Sequence, residues 1–416
     1  MVYLLYALFY RCYIACLRLG SLINPKARAF FAIRKESVQQ YKLTSTWQSD
    51  NHNVLWMHCA SVGEFEQGRP VLESFRTRHP KWKIVLTFYS PSGYFQHKDW
   101  DGADLVLALP LDYRSRCVEF IDKVKPDHIL WIRYDFWPQI YRVIADQRIP
   151  LTLIGSRIHK GHRLLSSHSV AKTMRQAITK FFTVDESSAH LLYEVGMSHA
   201  EYAGDPRFDR VVAIASNPMD KALDALRHGK EKILVAGSTW PKDQALLAPS
   251  IDHLISRGWK LIIVPHEVDE ISINQCCRQF PKARLWSELG WSHSETPLLI
   301  VDAVGQLSKT YSVADLAYVG GGFESSGVHN ILEPMVYDLP VMSGPNISRS
   351  IEALAANKKG FLRTLGQKDD FFPVFEASFN AKKEGAIASW VKGQTGATDR
   401  ITHYLDNHPS IQERLQ

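Results

Sequence analysis

His329, Asn330 and Glu333 follow a run of three glycines, Gly320–Gly322, and lie within about one helical turn of each other. Imidazole, amide and carboxylate groups can all hydrogen-bond a ribose or a base, and glycines let a ligand approach the backbone closely. Apolar segments before and after predict a strand–loop–helix–strand unit, whose helix start offers N–H groups to an anion. A plain tight turn would explain the glycines alone equally well. Together with the polar residues, the segment favours a sugar–nucleotide site.

The elements that would position this segment recur along the chain. Short apolar segments typical of buried strands alternate with helical ones from residue 54 to residue 342, which indicates mainly parallel sheets with helices on both faces. A polar stretch at 216–229 interrupts the alternation. We therefore predict an α/β protein with a membrane-anchor region at 1–35, a Rossmann-like domain at 36–215 and a second at 216–416.

Within these domains, polar clusters follow most of the predicted strands. The carboxyl ends of parallel strands are where such sheets bind ligands, so two tandem domains are expected to present these clusters to one cleft. Residues 351–416 are expected to be a helical tail with a loop at 360–373.

Length, composition and charge narrow the class of protein. The chain has 416 residues, which exceeds the usual size of one core, and its apolar content of 45% is ordinary for a globular protein. A net charge of +6 is compatible with an anionic membrane face or anionic substrates, and too weak to indicate nucleic-acid binding. The six cysteines form no C-x-x-C pair, so we expect reduced thiols in a cytoplasmic protein, with no metal site.

The first residues suggest contact with a membrane surface. The unbroken apolar run at 2–10 is far shorter than the roughly 20 residues that span a bilayer, and no basic segment precedes it as in a signal peptide. Arg11 and Arg18 fall on one helical face, and four further basic residues follow: Lys26, Arg28, Arg34 and Lys35. This pattern predicts a peripheral or monotopic interfacial helix among anionic headgroups, with an ordinary first helix packed on the domain as the alternative.

Six motifs occur in order over nearly the whole chain: Ser61–Glu64, Gly204–Asp209, Ala236–Thr239, Val264–His266, Asp302 with Gly305, and Gly320–Gly321 through Glu333. Together they resemble the 3-deoxy-D-manno-octulosonic acid (Kdo) transferases of lipopolysaccharide synthesis. The resemblance implies the two-domain GT-B glycosyltransferase fold and work at the cytoplasmic face of the inner membrane of a Gram-negative cell. It implies inverting transfer of Kdo from CMP-Kdo to a lipid A precursor (lipid IVA), without metal or other cofactor.

The resemblance assigns Glu64 as the catalytic base, which fits a carboxylate in a glycine-containing loop after a strand. The alternative is a helix N-terminal glutamate favoured by the helix dipole. Arg207 matches the basic residue of the family's G-x-x-[KR]-F-D motif and would face developing negative charge. An ion pair of Arg207 with Asp205 or Asp209 is the alternative.

The resemblance also assigns the donor contacts. Ser238 and Thr239 could instead form a simple helix N-cap, and His266 could be a hydrogen-bonded loop histidine. The expected CMP-Kdo contacts are Ser238, Thr239, Pro265, His266, Gly305, Gln306, Leu307, Gly321, His329, Asn330, Ile331, Leu332 and Glu333.

One departure from the family pattern affects the catalytic assignment. Where better-known members have E-x-E-L-W-P-N, this chain has Arg133, Asp135 and Trp137-Pro138-Gln139, so the first glutamate becomes an arginine. Either Asp135 takes over support of the transition state, or Arg133 binds an anionic group of donor or acceptor. Two other classes stay open: a GT-B transferase with another nucleotide sugar and lipid, and a membrane-attached binding protein.

Overall fold

The computed structural model describes residues 2–41, 44, 47, 52–133, 135–218, 223, 226, 231–291, 296–366, 371–381 and 384–412. The chain divides into two compact units. The first comprises Met1–Arg210 and Thr395–Gln416, and the second comprises Val211–Gln394.

The first unit is built on a parallel sheet of seven strands, in the order β3-β2-β1-β4-β5-β6-β7. The strands are β1 Val54–Cys59, β2 Lys83–Phe88, β3 Leu105–Ala108, β4 His128–Ile132, β5 Leu151–Ser156, β6 Lys180–Thr183 and β7 Ala200–Tyr202. Its α-helices are Val2–Gly20, Pro25–Gln40, Val62–Arg78, Pro91–His97, Arg114–Val124, Pro138–Gln147, Ser169–Ala177, Glu186–Glu194, Pro206–Ala215, Ala397–Asp406 and Pro409–Gln412, with a 3₁₀ turn at Arg163–Leu165.

The sheet of the first unit is covered on both faces, which explains its continuous apolar strands. Successive β1 residues point to opposite faces: Trp56 packs in one core cluster with Phe120, and Leu55 packs in another with Phe75. Every residue of β1 is buried. The core therefore occupies two layers, and only the strand ends are available for polar chemistry.

The second unit repeats this architecture with a parallel sheet in the order β10-β11-β9-β8-β12-β13-β14. Its strands are β8 Lys232–Thr239, β9 Trp259–Pro265, β10 Arg284–Leu285, β11 Leu298–Ile300, β12 Leu316–Val319, β13 Val341–Ser343 and β14 Leu362–Thr364. Its α-helices are Pro241–Leu247, Ile251–Ser256, Glu270–Gln279, Trp286–Leu289, Leu307–Tyr311, Leu332–Met335, Ile351–Lys358, Phe371–Asn380 and Ala386–Lys392, with a 3₁₀ turn at Ala248–Ser250.

The C-terminal segment differs from the prediction in two ways. Leu362–Thr364, expected to lie in a loop, is an edge strand paired with Val341–Ser343. Thr395–Gln416, assigned from the sequence to the second domain, belongs to the first unit. There Ile401 lies in the same core cluster as Phe75. Single-sequence patterns report neither three-residue strands nor which core a late helix joins.

A carboxylate fixes the return of the chain to the first unit. Asp209 accepts hydrogen bonds from the backbone N–H groups of Gly396, at 2.6 Å, and Thr398, at 2.8 Å. These groups lie where the helix Ala397–Asp406 begins, so the carboxylate satisfies N–H groups that have no partner within the helix. Asp209 is therefore a helix-capping residue and does not pair with Arg207 in the described contacts.

The helix Val2–Gly20 is attached to the first unit through one face. Tyr10 and Ile14 are buried, and the Tyr6 hydroxyl donates to Asp112 at 2.7 Å. The opposite side is exposed, with Leu8 at 61% and Phe9 at 70% of their full surface. With a mean hydropathy of 1.4, this helix has the length and composition of a membrane-crossing segment.

One of the four basic residues expected near the membrane is not a surface residue. Arg34 is 7% exposed and lies over the Phe30 ring, 3.5 Å from its centroid. Its guanidinium donates to the carbonyl of Tyr89 at 3.1 Å. Arg34 therefore helps to fasten the second helix, whereas Lys26, Arg28 and Lys35 are exposed.

Candidate functional site

Three of the four predicted catalytic residues follow the two strands between which the strand order of the first unit reverses, and the fourth, Arg207, follows the edge strand β7. β1 and β4 are neighbours, but the chain leaves them toward opposite edges of the sheet. A crevice forms outside the carboxyl ends of strands at such a point, and it is the usual ligand site of open parallel sheets. Glu64 follows β1, whereas Arg133 and Asp135 follow β4.

Glu64 lies in the first turn of the helix Val62–Arg78, which begins directly after β1. Its carboxylate accepts a hydrogen bond from the backbone N–H of Ala60. Burial raises the Glu64 pKa to about 7, and the charge of Asp135 adds to the rise, whereas Arg133 opposes it. The helix-terminal position foreseen as an alternative is thus present, together with a pKa that suits proton transfer near neutral pH.

Asp135 is held by a buried histidine. His58, in β1, has no exposed surface, and its Nε2 lies 2.9 Å from Asp135 Oδ2. Its Nδ1 lies 2.8 Å from the hydroxyl of Thr87, which also accepts from the indole N–H of Trp56 at 2.9 Å. Because the Thr87 hydroxyl accepts from the indole, it can donate its own proton to His58 Nδ1. The proton of His58 is then on Nε2, which donates to the Asp135 carboxylate. The indole of Trp131 donates to the Asp135 carbonyl at 2.7 Å, so side chain and backbone are both fixed.

A second set of contacts joins Arg133 to Arg207 through a buried amide. Gln67 accepts from Arg133 Nε and donates to Asp205 at 2.9 Å. Arg207 binds the same Asp205 with two guanidinium nitrogens, at 3.0 and 2.6 Å. The ion pair foreseen as the alternative for Arg207 is therefore present with Asp205. Although burial acts in the opposite direction, the charge of Arg207 lowers the pKa of Asp205.

Sequence reasoning missed Gln67 and His58. Gln67 lies three residues after Glu64 on the same helix and is fully buried, and His58 is fully buried in a strand of apolar residues. A polar side chain on an apolar face was the available signal in both cases. That signal alone does not separate a ligand contact from an internal hydrogen bond.

The donor residues of the second unit also lie where the strand order reverses, between β8 and β12. Ser238 has a left-handed φ of +51°, and Gly320 packs so closely against it that an added Cβ would lie 2.2 Å from the Ser238 carbonyl oxygen. Gly321 has a φ of +87°, and a Cβ there would lie 2.7 Å from the Gly327 carbonyl oxygen. Only glycine fits these two positions, so the end of β8 and the turn after β12 meet directly.

Ser238 and Thr239 do not form a helix N-cap, which corrects the alternative weighed for them. The cap of the helix Pro241–Leu247 is Trp240, whose N–H donates to Asp243 at 2.9 Å. Thr239 is 2% exposed, and its carbonyl accepts from the N–H of His266. This bond connects the turn after β8 to Pro265-His266 at the end of β9.

Three rings stack beside the glycine turn. The His266 ring lies 4.7 Å from that of Trp240 and 4.2 Å from that of His329. The Trp240 indole N–H donates to His329 Nε2 at 2.8 Å, so this nitrogen is an acceptor. Burial, with the neighbouring His266, lowers the His329 pKa to about 4. The stack is therefore uncharged at neutral pH on the His329 side, and Trp240 packs within it.

The remaining donor residues form two turns that hydrogen bonds join. Glu333 accepts from the Ser308 hydroxyl at 2.7 Å and from the Asn330 amide at 3.1 Å, and Asn330 accepts from the N–H of Leu332. Gly305, Gln306 and Leu307 lead into a five-residue helix, and Ile331 and Leu332 into a four-residue helix. Such short helices have weak dipoles, so an anion here would depend on individual N–H groups.

Comparison with known proteins agrees with the motif pattern. Residues 34–210 match the family model described as 3-deoxy-D-manno-octulosonic-acid transferase (kdotransferase). The chain is 28% identical over 320 residues to the 3-deoxy-D-manno-octulosonic acid transferase of Chlamydia trachomatis serovar A, covering 74% of this chain and 73% of that protein. It is 23% identical over 345 residues to the enzyme of the same name from Haemophilus influenzae, covering 79% and 80%.

Solved structures share the fold at low identity. A glycosyltransferase from Rickettsia africae aligns with a TM-score of 0.55 at 13% identity, covering 87% of this chain and 99% of that one. The UDP-GlcNAc 2-epimerase from Methanocaldococcus jannaschii aligns with a TM-score of 0.57 at 13% identity, covering 85% and 100%. These likenesses concern the fold alone. The solved structures match the GT-B fold, and the family model with the relatives above supports a Kdo glycosyltransferase.

Proposed function

We propose that this Kdo glycosyltransferase of lipopolysaccharide synthesis moves Kdo from CMP-Kdo to a lipid A precursor, lipid IVA, with inversion at the anomeric carbon. The observation that carries the proposal is Glu64, a carboxylate beside the β1–β4 crevice with a pKa of about 7. At neutral pH a substantial fraction of such a group is ionised, and its basicity suffices to accept a proton from a sugar hydroxyl as the new bond forms.

In the proposed reaction, Glu64 takes the proton of the acceptor hydroxyl while the hydroxyl oxygen attacks the anomeric carbon. The bond between that carbon and the phosphate oxygen breaks, and CMP leaves with the electron pair. Asp135, fixed by His58 and Trp131, stabilises the positive character of the anomeric centre. Arg207, oriented by Asp205, is the proposed cation for the negative charge that develops on the leaving group.

The donor nucleotide is proposed to bind the second unit at its own strand reversal. Glycine at 320 and 321 lets the end of β8 and the turn after β12 pack closely and so shapes the site, whereas the N–H groups of these two residues are held by the Gly237 carbonyl and by Asp243. Asn330 and Glu333, which bond each other, offer amide and carboxylate groups for ribose or base hydroxyl and amino groups. The stacked His266 and His329 rings offer an apolar face for the base.

The acceptor is a glycolipid, and the enzyme is proposed to reach it as a peripheral or monotopic protein on the cytoplasmic face of the inner membrane. The exposed side of Val2–Gly20 supplies apolar surface, and the exposed Lys26, Arg28 and Lys35 supply positive charge for anionic headgroups. The face of the helix that holds Tyr10 and Ile14 is occupied by the first unit, which favours a helix lying in the interface over one that crosses it.

The test is product formation from CMP-Kdo and tetraacylated lipid A precursor. Wild type should release CMP and yield Kdo-lipid, whose mass gives the number of sugars added. Glu64→Gln should lower kcat by a factor on the order of 100, as the loss of a general base does. Glu194→Gln, an exposed change on another helix of the same unit, is the matched control and should keep wild-type activity.

Three outcomes would contradict the proposal. Wild type that binds CMP but makes no product with this pair would exclude the acceptor. Wild type that binds no CMP would exclude the donor and favour another nucleotide sugar. Full activity in Glu64→Gln would exclude Glu64 as the base.

A further inference from the structure

Arg133 and Arg207 lie at the same end of the first sheet but differ in their partners. Arg207 forms a two-nitrogen ion pair with Asp205. Arg133 is joined to the neutral amide of Gln67 through Nε. Within the described part of the chain, no carboxylate pairs with the Arg133 guanidinium. Arg207 is therefore in direct contact with a carboxylate, whereas Arg133 contacts a neutral amide and interacts with the charges of Glu64 and Asp205 without a described ion pair.

The backbone of Arg133 is held in an unfavourable conformation. Its φ is +59°, in the left-handed region that residues with a Cβ rarely adopt, although its N–H is bonded to the Ile154 carbonyl at 3.0 Å. Such conformations persist where surrounding structure imposes them, and they concentrate at ligand sites. Here the strained residue is the first after β4, beside the crevice already described.

Gln67 sets which part of the guanidinium remains available. The amide has no exposed surface, and its nitrogen also donates to Asp205 at 2.9 Å, so its orientation is fixed. Because its oxygen takes Arg133 Nε, the two terminal nitrogens stay together as a fork. Such a fork binds the two oxygens of a carboxylate or phosphate in parallel.

We propose that Arg133 binds an oxyanion of the substrate at the β1–β4 crevice, next to Glu64, and so determines which substrate is accepted. This inference rests on the proposed function, in which two oxyanions are present: the carboxylate of the transferred sugar acid and a phosphate of the glycolipid. Both have the geometry that the fork recognises. Where the family pattern has an acidic residue, this chain thus has a cationic one, which binds anions.

The experiment compares Arg133→Gln and Arg133→Lys with wild type, varying donor and acceptor in turn. Arg133→Gln should raise the KM of one substrate by about 10-fold or more, since charge-assisted paired bonds are lost. Arg133→Lys, which keeps the charge without the fork, should recover part of the loss. A raised donor KM assigns the sugar carboxylate. A raised acceptor KM, absent with a dephosphorylated acceptor, assigns the lipid phosphate.

Arg148→Gln is the matched control, because Arg148 is also an arginine of the first unit with a left-handed φ of +55°, but is exposed at a helix end. It should change neither KM. The urea midpoint of Arg133→Gln is measured beside the KM values, because the variant also loses the bond to Gln67 and the attraction to Glu64 and Asp205. Unchanged KM values for both substrates, or a lowered midpoint as the sole effect, would make Arg133 a structural residue and overturn the proposal.

A second experiment distinguishes failure of the proposed reaction from failure of the oxyanion site. If wild type makes no product, binding of inorganic phosphate and of free sugar acid is measured by calorimetry. Binding to wild type that Arg133→Gln loses, and Arg148→Gln keeps, supports the oxyanion site although the reaction is wrong. Equal binding, or none, by wild type and Arg133→Gln refutes it.

Discussion

The pH dependence of the reaction should follow the ionisation of Glu64. With a pKa of about 7, the carboxylate is about 9% ionised at pH 6 and about 91% at pH 8, so kcat/KM should rise about tenfold over this range. A glutamate at its ordinary pKa would already be almost fully ionised at pH 6 and would give nearly no rise. The assay is the initial rate of CMP release across this range in buffers of constant ionic strength.

Substitution of the neighbouring charges should move the inflection in opposite directions. Burial is the main cause of the raised pKa, with Asp135 adding to it and Arg133 opposing it. Asp135→Asn should therefore shift the inflection of kcat/KM to lower pH, without restoring the ordinary value, and Arg133→Gln should shift it to higher pH. An inflection at the same pH in wild type and both variants would refute this account of the site.

The same pKa predicts an effect on stability that needs no substrate. The folded state holds the Glu64 proton to higher pH than the unfolded state, so this group's contribution to the free energy of unfolding falls as pH rises from 4.5 to about 7. The fall is at most about 3 kcal/mol. In urea titrations, the free energy of unfolding of Glu64→Gln relative to that of wild type should be higher at pH 8 than at pH 5. An equal difference at both values would contradict the shift.

Three further predictions concern the other parts of the structure. Gly321→Ala would place a Cβ 2.7 Å from a carbonyl oxygen, so it should lower the free energy of unfolding in urea by about 2 kcal/mol or more and weaken CMP binding measured by calorimetry. Gly305→Ala has a similar φ but open space around the Cβ, so it should lower the free energy of unfolding by about 1 kcal/mol. Equal losses in the two variants would contradict the close approach at Gly321. His58→Asn should lower kcat by about 10-fold or more, because the buried donor to Asp135 is lost, and should move the pH inflection; a loss of stability alone would leave His58 a core residue. Leu8→Glu should reduce cosedimentation with anionic vesicles severalfold, and Val304→Glu, an equally exposed change in the second unit, should not; equal binding by both would exclude this helix as the contact.

The order of elements was predictable because it depends on local patterns. Segments such as 129–132 and 316–319 are short, apolar and followed by polar turns, as strands buried on both faces must be, and both lie in strands of the structure. The sites at the strand ends follow from this order. Parallel strands bring their carboxyl ends to one edge, which explains why the charge of Asp135 acts on Glu64 although the two are far apart in sequence.

What the sequence alone determined is therefore the fold class, the resemblance to Kdo transferases and the residues at the strand ends. The tertiary structure decided which of these residues are paired: Arg207 with Asp205, Asp135 with His58, and Arg133 with Gln67. It also decided that the last helices join the first unit. Strand periodicity arises from neighbours along the chain, whereas the partner of a charge or the core that a late helix joins depends on atoms brought together from distant segments, where burial and electrostatics act over a few ångströms.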